Sequence, residues 1–215
     1  AAEAGNSAAM TMLGFLLAER GDRVEAESWY RTAAEAGNSA AMTMLGFLLA
    51  ERGDRVEAES WYRKGAEAGN SDAMNSLGLF LEQCGDLVEA ESWYRTAAEA
   101  GNSAAMTYLG VLLAQRGDRV EAESWYRTAA EAGNTDAMNY LGVLLTERGD
   151  LVEVESWFRT AADAGNSAAM TMLGFLLEQC GDLVEAESWY RTAADAGNSA
   201  AMTRLSSLLD KRDRG

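Results

Sequence analysis

The chain repeats one 32-residue pattern along almost its whole length of 215 residues. Residues 1–32 read AAEAGNSAAMTMLGFLLAERGDRVEAESWYRT, and residues 33–64 differ from them only by a lysine in place of the final threonine. Related blocks cover residues 65–96, 97–128, 129–160 and 161–192, and residues 193–215 form a partial seventh block. A fixed period of this length indicates a repeat array in which each unit packs on its neighbours. We therefore predict one elongated repeat domain over residues 1–215.

The first half of each block has the pattern of an amphipathic helix, which we name helix A. Asn6 is a favourable N-cap residue. The apolar residues Met10, Leu13, Leu16 and Leu17 follow with the i, i+3, i+6 and i+7 spacing of one helical face. Gly21 is then expected to end the helix.

The second half of each block predicts a further helix, helix B, over residues 23–36. Asp22 and Glu25 have the spacing of a capping box, and Glu27 and Arg31 are spaced as a surface ion pair. Only two residues separate the helices, so A and B are expected to be antiparallel neighbours. Six such pairs and a final A helix over about residues 199–212 give thirteen helices. The predicted fold class is all-α, an α-solenoid of antiparallel hairpins.

A glycine recurs in the middle of helix A, where it lowers helix stability by about 1 kcal/mol relative to alanine. It is present in six blocks, as Gly14, Gly46, Gly78, Gly110, Gly142 and Gly174. We interpret it as a close approach of helix B rather than a hinge, with the small residues Ala26 and Ala33 facing it. The recurring Trp29 fits core packing better than a ligand-stacking ladder.

Composition excludes several classes of function. Acidic residues outnumber basic ones 34 to 18, for a net charge of −16, which disfavours binding to nucleic acid or to anionic membranes. The apolar run MLGFLLA is too short to span a bilayer. Cys84 and Cys180 lie three blocks apart, so a disulfide between them is not expected. Two free thiols suit a reducing compartment, and we expect a cytoplasmic protein.

Residues for catalysis or metal binding are not evident in the sequence. The chain has no histidine, the commonest general base and metal ligand. Its glycines follow the repeat period rather than the spacing of phosphate-binding loops, and its carboxylates recur in every block, as solvated helix faces do. We expect no enzyme activity, no cofactor and no metal site.

The pattern resembles two related repeat families. Met10, Leu13-Gly14, Leu17, Gly21, Ala26, Tyr30 and Ala33 are spaced as in the tetratricopeptide repeat. The segment WYRTAAEAGN, followed by Ala41 and Leu45-Gly46, is similar to the Sel1-like repeat. The block is two residues shorter than the usual tetratricopeptide unit and lacks that family's proline. The resemblance implies a right-handed superhelix whose A helices line a concave groove, and a protein that binds other proteins.

The resemblance also assigns candidate groove residues. They provide an apolar floor, threonine and asparagine donors and an acidic rim, and they are Thr11, Phe15, Glu19, Thr43, Phe47, Glu51, Asn75, Leu79, Glu82, Thr107, Val111, Asn139, Val143, Thr171, Phe175 and Glu178. Such a groove suits a peptide with apolar anchors and basic flanks. The alternative is that the Phe15 and Met12 positions only pack against the next A helix. The positions of the family's carboxylate clamp hold other residue types, so capture of a C-terminal carboxylate is not expected.

Two functions remain open at this point. The first is a non-enzymatic scaffold that binds a peptide or protein segment in the groove. The alternative is a self-assembling protein, because the final helix has the polar changes Arg204, Ser206 and Ser207, whereas the N-terminal block has none. An uncapped end favours end-to-end association into a homo-oligomer, and association through the groove is the other route. The chain shows no secretory signal and opens on the tail of a block, so we expect it to be a piece of a longer array.

Overall fold

A computed structural model describes residues 6–214 of the chain, and within this range it consists of thirteen α-helices without β-strands. They are α1 Ser7–Glu19, α2 Arg23–Glu35, α3 Ser39–Arg52, α4 Arg55–Glu67, α5 Ser71–Cys84, α6 Leu87–Glu99, α7 Ser103–Arg116, α8 Arg119–Glu131, α9 Thr135–Thr146, α10 Leu151–Asp163, α11 Ser167–Cys180, α12 Leu183–Asp195 and α13 Ser199–Arg214. Odd-numbered helices are the A helices and even-numbered helices are the B helices. The prediction of an all-α array of helical hairpins is confirmed.

The chain divides into two compact units, residues 1–109 and residues 110–215. In the first unit, α1, α3 and α5 each pack against the B helix that follows, and α2 and α4 also pack on the next A helix. The second unit repeats this arrangement from α8 to α13. Each core combines leucines of the A helices, such as Leu45 and Leu173, with alanine and aromatic residues of the B helices, such as Ala58 and Phe158. No helix of the described part of the chain is long and apolar enough to cross a membrane.

Asparagine caps start the A helices and also connect consecutive repeats. The Asn70 Oδ1 atom accepts a hydrogen bond from the backbone N–H of Ala73 at 2.9 Å, which satisfies one of the free donors of the first helical turn. Its Nδ2 atom donates to Ser39 Oγ at 3.1 Å, at the start of the preceding A helix. One side chain therefore caps α5 and ties it to α3.

Glycines with positive φ end the A helices, as the sequence predicted, for example Gly53 at φ +94°. The aspartate that follows was expected to cap helix B, and this holds for only some repeats. Asp54 makes no side-chain cap and instead pairs with Arg52. Asp86 does accept from the backbone N–H of Glu89, at 3.1 Å, because Cys84 stands where Arg52 stands in α3. The neighbouring arginine therefore competes with the helix for the carboxylate.

The glycines within the A helices lie against an aromatic ring of the following B helix. A Cβ atom added to Gly78 would lie 2.5 Å from Tyr94 Cε1, and one added to Gly142 would lie 2.5 Å from Phe158 Cε1. These distances are far below a van der Waals contact, so the predicted close approach is confirmed. The predicted partner was wrong, because the glycine makes room for the ring and not for the alanines.

An ionic network joins successive B helices within each unit. The predicted pair of Glu27 and Arg31 is present, with 3.1 Å between Glu27 Oε1 and Arg31 Nη2. Arg31 Nη1 also donates to Glu57 Oε1 of α4 at 2.6 Å, and the indole N–H of Trp61 donates to the same oxygen at 3.3 Å. The arginine and then the tryptophan lower the pKa of Glu57. Trp61 is buried, whereas Trp29 and the other four tryptophans at this position are half-buried, so the predicted packing role holds only in part.

Candidate functional site: two pockets on the A-helix face

The aromatic and aliphatic column that begins with Phe15 is partly open to solvent. Phe15 is 47% exposed, Phe47 is 53% exposed and Val143 is 39% exposed. Leu79, Val111 and Phe175 of the same column are half-buried. Side chains of this size on an open surface are available to a partner, and their role in binding remains a prediction.

The hydroxyl groups of the neighbouring threonine column are not available to a ligand, although the sequence suggested that they would be. Thr43, Thr107 and Thr171 are buried, and Thr11 is half-buried. Each hydroxyl donates to the backbone carbonyl four residues earlier, as Thr43 Oγ1 does to Ser39 O at 3.1 Å. The expectation that these threonines offer free donors to a ligand is therefore wrong. Asn75 and Asn139 replace threonine in two repeats, and the Oδ1 atom of each is buried without a hydrogen-bond partner.

The acidic rim is largely engaged within the protein. Glu51 pairs with Arg23 at 3.1 Å, and Glu178 pairs with Lys211 at 3.0 Å. Glu82 accepts a hydrogen bond from the hydroxyl of Tyr94 at 2.8 Å. A basic partner would have to exchange with these groups, which is inexpensive for exposed pairs because each contributes only about 0–1 kcal/mol.

Two adjacent pockets lie on the A-helix face of the first unit. The first, the Phe15 pocket, has a volume of about 210 Å³. It is lined by Phe15, Ala18, Glu19, Arg23, Tyr30, Met44, Phe47, Leu48 and Glu51. Four predicted groove residues, Phe15, Glu19, Phe47 and Glu51, are therefore brought together here.

The second pocket, the Ser76 pocket, is larger, at about 310 Å³. It is lined by Phe47, Ala50, Glu51, Tyr62, Ser76, Leu79, Phe80 and Gln83. Phe47 and Glu51 belong to both pockets, so the two are neighbours along the array. Burial, and then the charge of Glu51, raises the pKa of Tyr62 to about 12, so its hydroxyl stays protonated at neutral pH.

Sequence reasoning missed the contribution of the B helices to these pockets. Tyr30 and Tyr62 reach the pockets across the A helices, because Gly14 and Gly46 leave space for their rings. The recurring glycine and the recurring tyrosine were both visible in the sequence. Their pairing was not, because helical periodicity alone does not reveal which residues of two helices meet.

In the second unit, two of the predicted groove residues have internal partners. The guanidinium of Arg204 lies 4.2 Å from the centroid of the Phe175 ring, and the Tyr190 hydroxyl donates to Glu178 at 3.0 Å. A pocket of about 390 Å³ in the second unit contains one predicted groove residue, Glu178, whereas the Phe15 pocket combines four of them.

Comparison with known proteins agrees with this architecture. Models described as tetratricopeptide repeat match residues 43–105 and 96–137, and residues 7–32 and 167–192, and the Sel1 repeat model matches residues 135–166. A search of curated protein sequences finds no match. The chain belongs to the tetratricopeptide and Sel1-like repeat superfamily, whose members are typically non-catalytic scaffolds that bind proteins or peptides.

Solved structures give the same result. The Escherichia coli protein c5321, described as a protective antigen of uropathogenic strains with an SLR fold, is 33% identical with a TM-score of 0.83. The alignment covers 96% of this chain but only 50% of c5321, so the chain spans half the length of that protein. A Sel1 repeat protein from Oxalobacter formigenes is 29% identical with a TM-score of 0.73, over 87% of this chain and 85% of that one. Pseudomonas aeruginosa pilF, at 18% identity and a TM-score of 0.74 over 94% and 97% of the two chains, shares the fold.

Proposed function

We propose that the protein is a non-enzymatic scaffold that binds a peptide or protein segment on the A-helix face of its first unit. The observation that carries this proposal is the pair of adjacent pockets that share Phe47 and Glu51. Because packed helices lie about 8–10 Å apart, two pockets one repeat apart suit a segment with two apolar side chains at that separation. Such a spacing corresponds to positions i and i+7 of a helix, or i and i+3 of an extended strand.

The charge of the chain supports the choice of partner. A net charge of −16 attracts basic proteins over long distances, and basic flanks can replace Arg23 in its exposed pair with Glu51. Proteins of this superfamily bind proteins or peptides, which agrees with the proposal. Action in the cytoplasm remains a prediction from the two exposed free cysteines.

The test is partner capture by affinity purification from a cell extract, followed by calorimetry with the purified partner. Phe47→Ala is expected to weaken binding at least tenfold, because it removes a wall of both pockets, and Leu79→Ala is expected to weaken it less. Val56→Ala is the matched control, since Val56 is 87% exposed and lies outside both pockets. Equal affinities of the wild type, Phe47→Ala and Leu79→Ala would contradict the proposal.

Self-assembly through α1 is the second candidate function. Leu16 of α1 is 53% exposed, whereas the equivalent Phe80 and Leu176 are buried. An uncovered apolar helix face can pair with the same face of a second copy around a twofold axis. Multi-angle light scattering over a wide concentration range tests this candidate. A growing mass that Leu16→Glu abolishes would support it, and the mass of one chain at all concentrations would contradict it.

A further inference from the structure

The Ser76 pocket is enlarged by a departure of the third repeat from its neighbours. The positions equivalent to Ser76 hold large side chains in the other repeats, and these are Met12, Met44, Tyr108, Tyr140, Met172 and Arg204. After the first repeat, these side chains fill space beside the preceding repeat. Met44 lines the pocket next to Phe15, and Arg204 lies over Phe175. Serine leaves more of that space open next to Phe47, and the Ser76 pocket, at about 310 Å³, is larger than the Phe15 pocket, at about 210 Å³, where Met44 stands at the equivalent position.

Phe80 partly compensates for the small serine. Phe80 occupies a position that is leucine in the other A helices, and its ring centroid lies 5.8 Å from that of Tyr62. The compensation is incomplete, since Phe80 lies on the wall of the pocket and the volume beside Ser76 stays open. The result is an apolar pocket with room for one large side chain.

A second departure of the same repeat leaves an arginine without its usual partner. The first residue of a B helix, when it is arginine, pairs with a glutamate near the end of the next A helix. Arg23 pairs with Glu51 in this way, and Arg119 pairs with Glu147. The corresponding glutamate for Arg55 is replaced by Gln83.

The side chain of Arg55 lies at the edge of the Ser76 pocket. Its guanidinium carbon is 6.0 Å from the ring centroid of Phe80, which lines the pocket together with Gln83. Among the residues that the structure describes, Arg55 forms no ion pair. Glu51, the carboxylate that lines this pocket, already pairs with Arg23. Arg55 is therefore a cation beside the cavity without an oppositely charged partner among the described residues, although the chain as a whole is acidic.

We propose that the Ser76 pocket binds a partner segment through one large apolar side chain, such as methionine, flanked by an acidic side chain that pairs with Arg55. The proposal rests on the proposed function, and it names the chemistry that one of the two pockets selects. The apolar side chain replaces the methionine that fills the equivalent space in the second repeat. The carboxylate takes the place of the glutamate side chain that pairs with the corresponding arginine in other repeats and that is glutamine at position 83. The overall negative charge slows the approach of an acidic segment, and salt screens this long-range effect.

The probes are blocked tetrapeptides, titrated into the ¹⁵N-labelled protein and followed by NMR. Acetyl-Gly-Glu-Met-Gly-amide is expected to shift the amides of Ser76 and Gln83 with a dissociation constant in the millimolar range. The Gln-Met peptide, in which glutamine replaces the glutamate of this probe, is expected to bind about threefold more weakly, as the loss of one exposed ion pair implies. The Glu-Ala peptide, in which alanine replaces the methionine of the first probe, is expected to bind at least tenfold more weakly, because it buries much less apolar surface.

Three variants separate the two parts of the site. Ser76→Met places a methionine in the space that the methionine of the peptide would occupy, and it is expected to abolish binding of all the peptides. Arg55→Leu is expected to bind the Glu-Met and Gln-Met peptides with equal affinity. Binding is still expected to require the methionine. Gln83→Glu supplies an internal carboxylate for Arg55 and is expected to remove the preference for Glu-Met. Gln179→Glu is the matched control, since Leu151 stands where Arg55 stands, and it is expected to leave the preference unchanged.

Several results overturn the proposal. One is equal affinity of the Glu-Met and Gln-Met peptides for the wild type, and another is undiminished binding to a folded Ser76→Met variant. Tighter binding of acetyl-Gly-Gln-Met with a free C-terminal carboxylate would also contradict the choice of an acidic side chain. Arg55→Leu and Gln83→Glu alter surface residues, so the test does not depend on one core substitution. If a captured partner depends on Phe47 but the peptides do not bind, only this proposal is contradicted. If the peptides bind but no partner depends on Phe47, only the proposed function is contradicted.

Discussion

At the scale of single residues, the most consequential contact is that between a helix-interior glycine and an aromatic ring. Gly142 and Phe158 illustrate it without a hydroxyl group, since the other repeats pair glycine with tyrosine. The glycine lowers the intrinsic stability of its own helix. In exchange it lets two helices approach closely around a ring that is almost fully buried. Helix propensity and close packing therefore predict opposite effects on stability when a methyl group is added to this glycine.

Gly142→Ala is expected to lower the free energy of unfolding by about 1–3 kcal/mol, the range for overpacking a core. The added Cβ would lie 2.5 Å from Phe158 Cε1, so the ring must move. Urea denaturation followed by circular dichroism measures the change. The double variant Gly142→Ala with Phe158→Leu should lose less than the sum of the two single variants. A gain in stability from Gly142→Ala alone would mean that helix propensity outweighs the close contact.

Residue-level prediction from the sequence succeeded where one helix determines the outcome. These outcomes depend on residues a few positions apart, and they are the helix caps Asn6 and Asn38, the glycines that end the A helices, and the pair of Glu27 and Arg31. It failed where two helices meet. Thr43 has the periodicity of a surface position, yet it is buried because the offset between neighbouring A helices is set by packing. The pockets, which need side chains from three helices, could not be read from the sequence for the same reason.

At the scale of the helices, near-identical B helices begin in two different ways. Asp54 pairs with Arg52 and leaves the first turn of α4 without a side-chain cap. Asp86 caps α6, because Cys84 does not compete for its carboxylate. The sequence predicted the start of both helices correctly, but it implied the same cap for both. One substitution at the end of an A helix thus changes how the next helix starts.

Asp86→Ala is expected to lower the free energy of unfolding by about 1 kcal/mol, the typical effect of losing an N-cap. Asp54→Ala serves as the matched variant and should have a smaller effect, because it removes an exposed ion pair. Thermal unfolding of the two variants in the same buffer gives the comparison. Equal losses would show that the cap of α6 contributes no more than the ion pair of α4.

At the scale of the whole molecule, the repeating ionic contacts make stability depend on pH. Hydrogen bonds from an arginine lower the pKa of Glu57, Glu89, Glu153 and Glu185, and a tryptophan adds to the effect at each. A carboxylate with a lowered pKa stabilises the fold fully above the pKa of the unfolded chain, about 4.3 for glutamate. That contribution is lost as the pH falls through the lowered pKa of the folded state. The protein is therefore expected to lose stability below about pH 4.5.

The expected result is a fall in melting temperature between pH 5 and pH 3, and a smaller fall for Glu89→Gln than for the wild type. Glu89 accepts from Arg63 of the preceding B helix and from the indole of Trp93, so its neutral form loses its attraction to the cation. Arg63→Gln should reduce the pH dependence in a similar way. The double variant should add little to either single variant. An unchanged pH dependence in both single variants would show that this pair does not contribute to acid unfolding.

For the whole molecule, the 32-residue period was sufficient to predict the helix count and the hairpin order. It determines these features because each helix contacts mainly its neighbours in sequence. Departures from the repeat pattern, such as Ser76 and Gln83, were visible in the sequence, but their structural effect could not be predicted from it. That effect became evident only when Phe47 and Arg55 of the preceding repeat were placed beside them.

The identity of the first two repeats has a genetic consequence. Tandem copies recombine unequally, and such events delete or add whole repeats. Loss of residues 33–64 would join the first repeat to the third, and Phe15 and Arg23 would take the places of Phe47 and Arg55, because residues 1–31 and 33–63 are identical. The Ser76 pocket would then be rebuilt from different copies of the same residues. Loss of residues 65–96 would remove Ser76 and Gln83 together, so inheritance of this site depends on one repeat and tolerates variation in the number of copies before it.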